Sequence, residues 1–195
     1  MKNQRRSFLL EPPEQPLAAA LAFLRHARFR LREDYLVKIS AALDAMTSEQ
    51  IWWRPNEESN SAGNLILHLA GNVRQWIIAG VGGAPNTRDR VAEFAERRRI
   101  GKNELLDLLR ATLDEVDAVL AGLENEVAAA QSDAPLQRQC VPQGFAQTVL
   151  DAVFHVVEHF SYHTGQIVFL AKCHAGENIR LYDDRQLNLV GEFSA

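Results

Sequence analysis

Apolar residues recur every three or four positions along four separate segments of the chain, which is the period of an α-helix with one buried face. These segments cover about residues 17–46, 60–80, 103–124 and 146–173. No stretch shows a convincing alternation of apolar and polar residues, the pattern that marks a half-buried β-strand. The pattern therefore predicts an all-α protein built on four long helices.

Two long connections separate the predicted helices and constrain how they are arranged. Residues 84–101 contain one short helical pattern, "RVAEFAERR", and residues 125–144 form an irregular crossing. The third helix should begin after Asn103, whose side chain is a suitable N-terminal cap. Long helices joined by long connections are typical of a four-helix bundle with crossover connections, and this is the fold that we predict.

The length of the chain, 195 residues, suits one domain with a buried core. Prolines interrupt any helix near the N-terminus, so we expect residues 1–16 to form an irregular arm. Residues 175–195 follow the last predicted helix and should form an irregular C-terminal tail. We therefore predict a single domain over residues 1–195.

Charge, hydropathy and cysteine usage argue against several classes of function. The formal net charge is −4, so the chain lacks the basic surplus that binds nucleic acid or anionic membranes. No apolar run approaches the roughly 20 residues of a membrane span. Cys140 and Cys173 fit neither a CxxC motif nor a zinc-finger spacing, which favours reduced thiols in a cytoplasmic protein.

The fourth predicted helix carries three histidines inside an otherwise apolar stretch. His155, His159 and His163 follow one another at four-residue spacing in "HVVEHFSYH". Residues four apart on a helix are neighbours that drift by about 40° per step, so two consecutive histidines can bind one ion and three cannot comfortably do so. The spacing leaves two chelating pairs open: His155 with His159, or His159 with His163.

The second predicted helix offers a third ligand. Asn64, His68, Asn72 and Gln75 form a polar stripe at helical spacing among apolar residues. Because a helix that is apolar on its other faces is mostly buried, these polar groups need partners. His68 and two histidines of the fourth helix could converge inside a bundle, leaving one coordination position for water or substrate. The alternative is that the histidines are core residues that bind no metal.

Other catalytic motifs fit the chain less well. The sequence "HVVEH", with Glu158 between two histidines, matches the inverted zincin pattern, but only 36 residues follow His159 and that peptidase domain is much larger. The Glu-x-x-His pairs of di-iron bundles are absent from the sequence. No Ser/His/Asp arrangement or glycine-rich phosphate loop has a recognisable context. The histidines therefore remain the best candidate for a functional site.

A resemblance to a known superfamily adds to these observations. The segments "SNSAGNLILHLAGNVRQWI" and "HVVEHFSYHTGQIVFL" resemble the DinB-like (YfiT-like) metalloenzyme superfamily, in a branch described as a domain of unknown function. The resemblance implies an up-down-down-up four-helix bundle and a divalent metal held by His68, His159 and His163. The Gly-Gln that closes "HTGQ" stands at the offset expected of the family, which favours His159 with His163 over the earlier pair.

The resemblance also indicates which side chains surround the ligands and which metal they bind. Outer-shell partners orient ligand imidazoles in metal sites, and asparagines or a glutamine suit that role. Three imidazoles suit zinc best, while nickel, manganese and iron stay open. The candidates around the ligands are Asn64, Asn72, His155, Glu158, Tyr162 and Gln166.

Characterised members of the superfamily include thiol-dependent transferases and isomerases, and they set the functional hypothesis. We expect a divalent-metal-dependent enzyme that transfers a low-molecular-weight thiol to a small-molecule substrate. A metal-dependent hydrolase and a non-catalytic, metal-binding stress-response bundle stay open as alternatives, so the sequence leaves open whether the site is catalytic. Relatives often dimerise, and we expect a homodimer.

Overall fold

Helices account for most of the chain in the computed structural model, as the apolar periodicity predicts. The predicted arm lies outside the described residues except for Pro16, and so does most of the predicted C-terminal tail. No helix in the described part of the chain is both long and apolar enough to cross a membrane. The structure describes residues 16–97, 100–175, 179, 181–183 and 188–189.

The first predicted helix forms a rod of three consecutive segments. Helix α1 (Pro16–Phe29) continues into a π-helical segment (Arg30–Tyr35) and then into α2 (Leu36–Asp44). The predicted apolar stripe is buried along the whole rod, which confirms its orientation; it consists of Leu24, Ala27, Leu31, Tyr35, Ile39, Leu43 and Met46. A single turn, α3 (Ser48–Ile51), follows, and the Thr47 side chain caps it.

The second predicted helix also contains a π-helical segment near its end. Helix α4 (Ala62–Val73) is capped by Ser61 and continues into a second π-helical segment (Arg74–Ala79) before the glycine-rich turn. The short helix predicted in the following connection is α5 (Arg90–Ala95), which begins after its cap, Asp89. The connection therefore holds a defined helix against α4.

Two predicted helix boundaries are wrong around the third helix. Helix α6 (Lys102–Ala130) begins after Gly101, so Asn103 lies inside the helix and is not its cap. It also continues past residue 124 into the segment predicted to be irregular, because Val127 is buried and extends the apolar stripe. The helix ends where Gln131 adopts a left-handed conformation with φ of 49°.

Short strands, which the sequence pattern did not predict, precede and follow the last helix. After α7 (Ala134–Gln137), β1 (Gln139–Cys140) pairs antiparallel with β2 (Gln147–Thr148). Helix α8 (Val149–Ala175) therefore begins three residues later than the predicted start at 146, because residues 147 and 148 belong to the hairpin. A second short pair joins β3 (Tyr182–Asp183) to β4 (Asn188–Leu189).

The helix contacts place α4 and α8 side by side. Helix α6 packs against α1 and α4, and α8 packs against α4 and α2. Fully buried side chains such as Ile66, Leu109 and Phe160 fill the space between them. Because α4 and α8 face each other, polar residues on the facing sides of these two helices can meet.

Arginines of the first rod form ion pairs with carboxylates of α6. The Arg28 guanidinium bonds both Asp117 oxygens at 2.7 and 3.0 Å and Glu124 at 3.0 Å, which ties α1 to α6. The Arg28 hydrogen bond holds the pKa of the Asp117 carboxyl below its ordinary value of 3.8. Arg32 adds a contact to Asp114 at 2.9 Å. These basic residues are therefore paired with carboxylates within the protein.

The cap of α4 supports a first prediction about stability. Ser61 is fully buried; its hydroxyl donates to Asn64 Oδ1 at 2.7 Å and accepts from the Asn64 amide at 3.1 Å. We expect Ser61→Ala to lower the free energy of unfolding by about 1 kcal/mol, because the helix loses its cap. Guanidinium unfolding measures the change, and Ser161→Ala, at an exposed position of α8, is the control. Equal stability of the two variants would contradict the role assigned to the cap.

Candidate metal centre

Three histidines from two helices meet where α4 faces α8. His68 on α4 and His159 and His163 on α8 each offer a ring nitrogen, and the three nitrogens lie within 4.8 Å of one another. The Nε2 atoms of His68 and His159 are 3.2 Å apart. His68 is buried and the other two are partly buried. This cluster can hold a metal ion.

The spacing and the second ring nitrogens suit a tetrahedral cation. Two nitrogen ligands of a tetrahedral zinc ion lie about 3.3 Å apart, close to the separation found between His68 and His159. His68 Nδ1 contacts Glu93 Oε2 at 2.9 Å and His163 Nδ1 contacts Gln166 Oε1 at 2.6 Å. Arg88 Nη2 also lies 2.9 Å from His68 Nδ1. In the tautomers that donate the Nδ1 proton to the two oxygens, the Nε2 lone pairs of both rings are available to a cation.

Three metal-ligating side chains come together in the described part of the chain. No fourth histidine, cysteine, aspartate or glutamate of that part of the chain joins the group. Three nitrogen donors leave one position of a tetrahedral ion for water or substrate, which is the arrangement of catalytic rather than structural zinc sites. The donor set therefore fits a cation with an open coordination position.

Glu93 lies behind His68 and is itself held by an arginine. Arg88 Nε bonds Glu93 Oε1 at 2.7 Å and Arg88 Nη2 bonds Oε2 at 2.9 Å, while Nη1 bonds Gln75 Oε1 at 2.8 Å. The side chains of Arg88 and Glu93 are only 3% and 9% exposed. This buried pair holds the carboxylate beside His68 Nδ1, while the other ring nitrogen, Nε2, faces His159 in the cluster.

Gly71 makes room for this carboxylate. A Cβ atom at position 71 would lie 1.9 Å from Glu93 Oε1, so no other residue fits there without moving the carboxylate. Burial alone would raise the pKa of the Glu93 carboxyl, but hydrogen bonds from Arg88 and His68 outweigh it and hold the pKa below its ordinary value of 4.5. Glu93 is therefore ionised at neutral pH.

Burial keeps His155, His159 and His163 of α8 neutral. It lowers the pKa of His159 from 6.5 to about 3, with smaller contributions from the positive charge that His163, His68 and His155 would carry. Burial also lowers the pKa of His163 and of His155. Neutral imidazole is the form that binds metal ions, so His159 and His163 do not need to lose protons at pH 7 before a cation binds.

These pKa shifts predict how the stability of the metal-free protein depends on pH. An unfolded histidine takes up a proton near pH 6.5, whereas folded His159 does so only near pH 3, so folding excludes protons between these values. We therefore expect the free energy of unfolding in EDTA to fall as the pH is lowered from about 7 to about 5. Carboxylates with ordinary pKa values titrate mainly below this window.

Urea unfolding of the wild type and of His159→Gln at several pH values tests this expectation. The variant should lose less stability than the wild type over the same range, because it lacks one of the groups that charges on unfolding. Stability that is constant or rises as the pH falls would contradict the predicted burial of neutral imidazoles.

The two asparagines predicted to surround the ligands, Asn64 and Asn72, differ in their hydrogen bonds. Asn64 Nδ2 donates to the backbone oxygens of Glu93 and Glu96 at 2.9 and 3.4 Å, so it fastens the segment that carries Glu93 onto α4. Asn72 is buried, and its Oδ1 has no hydrogen-bond partner among the described residues. A role of Asn72 in supporting the ligands stays a prediction.

The other predicted neighbours on α8 lie at the edge of the cluster. His155 stacks on Trp76 with ring centroids 3.8 Å apart, and it is not part of the three-nitrogen group. Its Nε2 is buried without a partner in the described part of the chain. Tyr162 is 63% exposed and its ring stands edge-on to His163 at 5.1 Å. Glu158 is exposed.

Glu93 and Arg88 are not among the site residues predicted from the sequence. Both lie at or beside a short helix whose apolar pattern indicates packing and no chemistry. One signal was present, because Glu93 follows the cap Asp89 and is next to Phe94, whose ring centroid lies 4.7 Å from that of His68 on α4. His68 lies 25 residues earlier in the chain, so spacing alone could not pair it with Glu93.

Comparison with known proteins gives a family and no function. A search of curated proteins found no match, and a search of solved structures found none either. A family model described as "Protein of unknown function (DUF1572)" matches residues 18–182, which include all three histidines of the cluster and Glu93. The chain therefore belongs to the DUF1572 family.

Proposed function

We propose that His68, His159 and His163 bind one divalent cation, zinc best of all, and that the protein is a metal-dependent enzyme. The observation that carries the proposal is the meeting of three ring nitrogens within 4.8 Å, with Glu93 behind one of them. A bound cation supplies positive charge that lowers the pKa of a coordinated thiol or water. Nickel, manganese and iron are alternatives that metal analysis distinguishes.

The residues of the chain prepare this site in two ways. Glu93 and Gln166 accept the Nδ1 protons of His68 and His163, which directs both Nε2 lone pairs towards the cation. Burial keeps His159 neutral. Three neutral imidazole ligands would leave the full positive charge on a bound cation, which is the condition for activating an external nucleophile.

The reaction that we propose is the transfer of a low-molecular-weight thiol to a small electrophilic substrate. Burial raises the pKa of the Cys140 thiol, so this cysteine is protonated at neutral pH and is a poor nucleophile. The nucleophile that we propose comes from outside the chain. Its sulfur forms a bond to an electrophilic carbon, the leaving group departs with its bonding electrons, and the thiol proton passes to solvent. Metal-dependent hydrolysis would use water in the same position.

Kinetic assays separate these possibilities. Zinc-loaded protein is mixed with glutathione and a panel of activated aryl halides and epoxides, and thiol consumption is followed; nitrophenyl esters report hydrolysis. We expect acceleration by the wild type and none by His163→Ala, with His26→Ala as a control at an exposed histidine. Stoichiometric zinc without acceleration of either reaction would instead support the non-catalytic metal-binding stress-response protein.

We also infer the arrangement and context of the protein. The contacts of α6 with α1 and α4, and of α8 with α4 and α2, support an up-down-down-up four-helix bundle of the DinB-like superfamily, forming one domain. Exposed apolar side chains at Val141, Phe145 and Phe154 support a homodimer. The light-scattering mass in solution tests the dimer. A cytoplasmic location agrees with free Cys140 and Cys173.

A further inference from the structure

A groove opens beside the histidine cluster, between the loop that precedes α4 and the middle of α8. Its volume is about 550 Å³, within the range of small-molecule sites. Tyr162 and Gln166 line it, and both contact His163: the Gln166 oxygen accepts from its Nδ1 and the Tyr162 ring stands against its ring. A molecule in the groove therefore lies next to the cluster.

Gly165 lines the same groove at the centre of α8. A glycine inside a helix costs about 0.5–1 kcal/mol relative to alanine, so its presence needs a compensating role. A Cβ atom at position 165 would meet no heavy atom within 4 Å, so packing within the described protein does not require this glycine. Gly71, in contrast, is required by the nearby Glu93 carboxylate. The absent side chain at 165 keeps the groove open.

The lining indicates which molecules the groove accepts. Tyr162, Phe169 and Leu170 supply an aromatic and apolar wall along α8, and both aromatic rings are more than half exposed. Glu58 is the charged side chain among the described residues that line the groove, and no lysine or arginine of that set faces it. An aromatic wall with one carboxylate favours flat apolar groups that are uncharged or cationic, and it repels carboxylates.

We propose that this groove binds a small molecule with a flat apolar part and a neutral or cationic group, and that Gly165 keeps its floor free for that ligand. This inference rests on the proposed function, because the ligand is the substrate whose reacting group lies beside His163. It adds a substrate class and a specificity-determining surface that is separate from the three ligand histidines.

Three probes of the same shape and different charge test the groove: naphthylmethylamine, naphthylmethanol and naphthoate. Binding is measured by equilibrium dialysis in EDTA, with naphthyl fluorescence as the readout, so the result does not depend on any metal. We expect the amine and the alcohol to bind and naphthoate to bind about tenfold more weakly. Gly165→Leu, whose side chain fills the groove, should weaken binding of the amine about tenfold.

Two matched variants serve as controls. Gly122→Leu changes another exposed helical glycine that has no atom within 4 Å of its Cβ position, and it should leave binding unchanged. Glu58→Lys should strengthen naphthoate binding and weaken amine binding, whereas Glu57→Lys, whose side chain is not among those lining the groove, should have a smaller effect. Both leucine variants should melt at or above the wild-type temperature, because leucine favours a helix more than glycine does.

Equal affinity for naphthoate and the amine, or wild-type binding by Gly165→Leu, would overturn the proposal. Loss of a dimer in Gly165→Leu with unchanged naphthyl binding would overturn it too, since the groove would then be a contact between copies. Zinc titration of the same variants is a separate measurement: Gly165→Leu should retain zinc binding. Failure of zinc to bind any of the proteins would refute the metal site and leave the groove result standing.

Discussion

Replacement of His159 by alanine is expected to abolish stoichiometric zinc binding. His159 Nε2 lies 3.2 Å from His68 Nε2, and the centroid of its ring is 4.5 Å from that of His163. His159 is therefore close to both of the other proposed ligands. Two imidazoles that remain on separate helices cannot complete a three-nitrogen site. Titration with a fluorescent zinc chelator measures the affinity, and thermal unfolding measures the accompanying stabilisation.

The stabilisation has an expected size. A ligand that binds only the folded protein adds about 2.7 kcal/mol when its free concentration is 100 times the dissociation constant. The wild type should show this gain with zinc and His159→Ala should not. His155→Ala is the matched control on the same helix face, one turn earlier, and it should retain one zinc ion per chain. Loss of zinc in His155→Ala with retention in His163→Ala would show that the other histidine pair binds the metal.

Changes at Glu93 are expected to give the second largest effect. Glu93→Gln keeps the shape of the side chain but removes the charge that accepts the Nδ1 proton of His68, so we expect zinc affinity to fall by about 10–100-fold. Glu93→Ala leaves the Arg88 guanidinium buried without its carboxylate partner, which should cost about 3–5 kcal/mol of stability. Chelator competition measures the first effect and guanidinium unfolding the second.

Glu115→Gln is the control for the loss of a carboxylate. Glu115 pairs with Arg74 at 2.6 Å on an exposed part of the surface, where such pairs contribute little to stability. This variant should retain zinc affinity and stability close to those of the wild type. Wild-type zinc affinity in Glu93→Gln would show that the carboxylate does not position His68. Gly71→Ala should reproduce the loss seen with Glu93→Gln, because a Cβ atom there displaces the carboxylate.

The long helices could be predicted because a helix with one buried face carries apolar residues every three or four positions. Leu105, Leu109 and Leu113 are fully or almost fully buried on one face of α6, as their spacing predicts. The two π-helical segments could not be predicted, because one extra residue in a helical turn does not clearly change the spacing of the apolar residues. The end of α6 was missed because Gln131 adopts a left-handed conformation without being a glycine.

The candidate site could be predicted only in part. Four-residue spacing on α8 limited the chelating pairs to two, and the resemblance to a known superfamily favoured His159 with His163. The approach of His68 to that pair depends on the packing of α4 against α8, which no local pattern determines. Glu93 reaches His68 through the fold of a connection, and the groove at Gly165 exists only where a loop and a helix come together.

Crystals of the zinc-loaded protein, measured on both sides of the zinc absorption edge, provide the most direct test of the metal site. We expect one anomalous peak per chain, about 2.0–2.1 Å from the Nε2 atoms of His68, His159 and His163, with a water or buffer atom in the fourth position. A peak elsewhere, a fourth protein ligand in that position, or no peak at full zinc occupancy in solution would contradict the proposed centre.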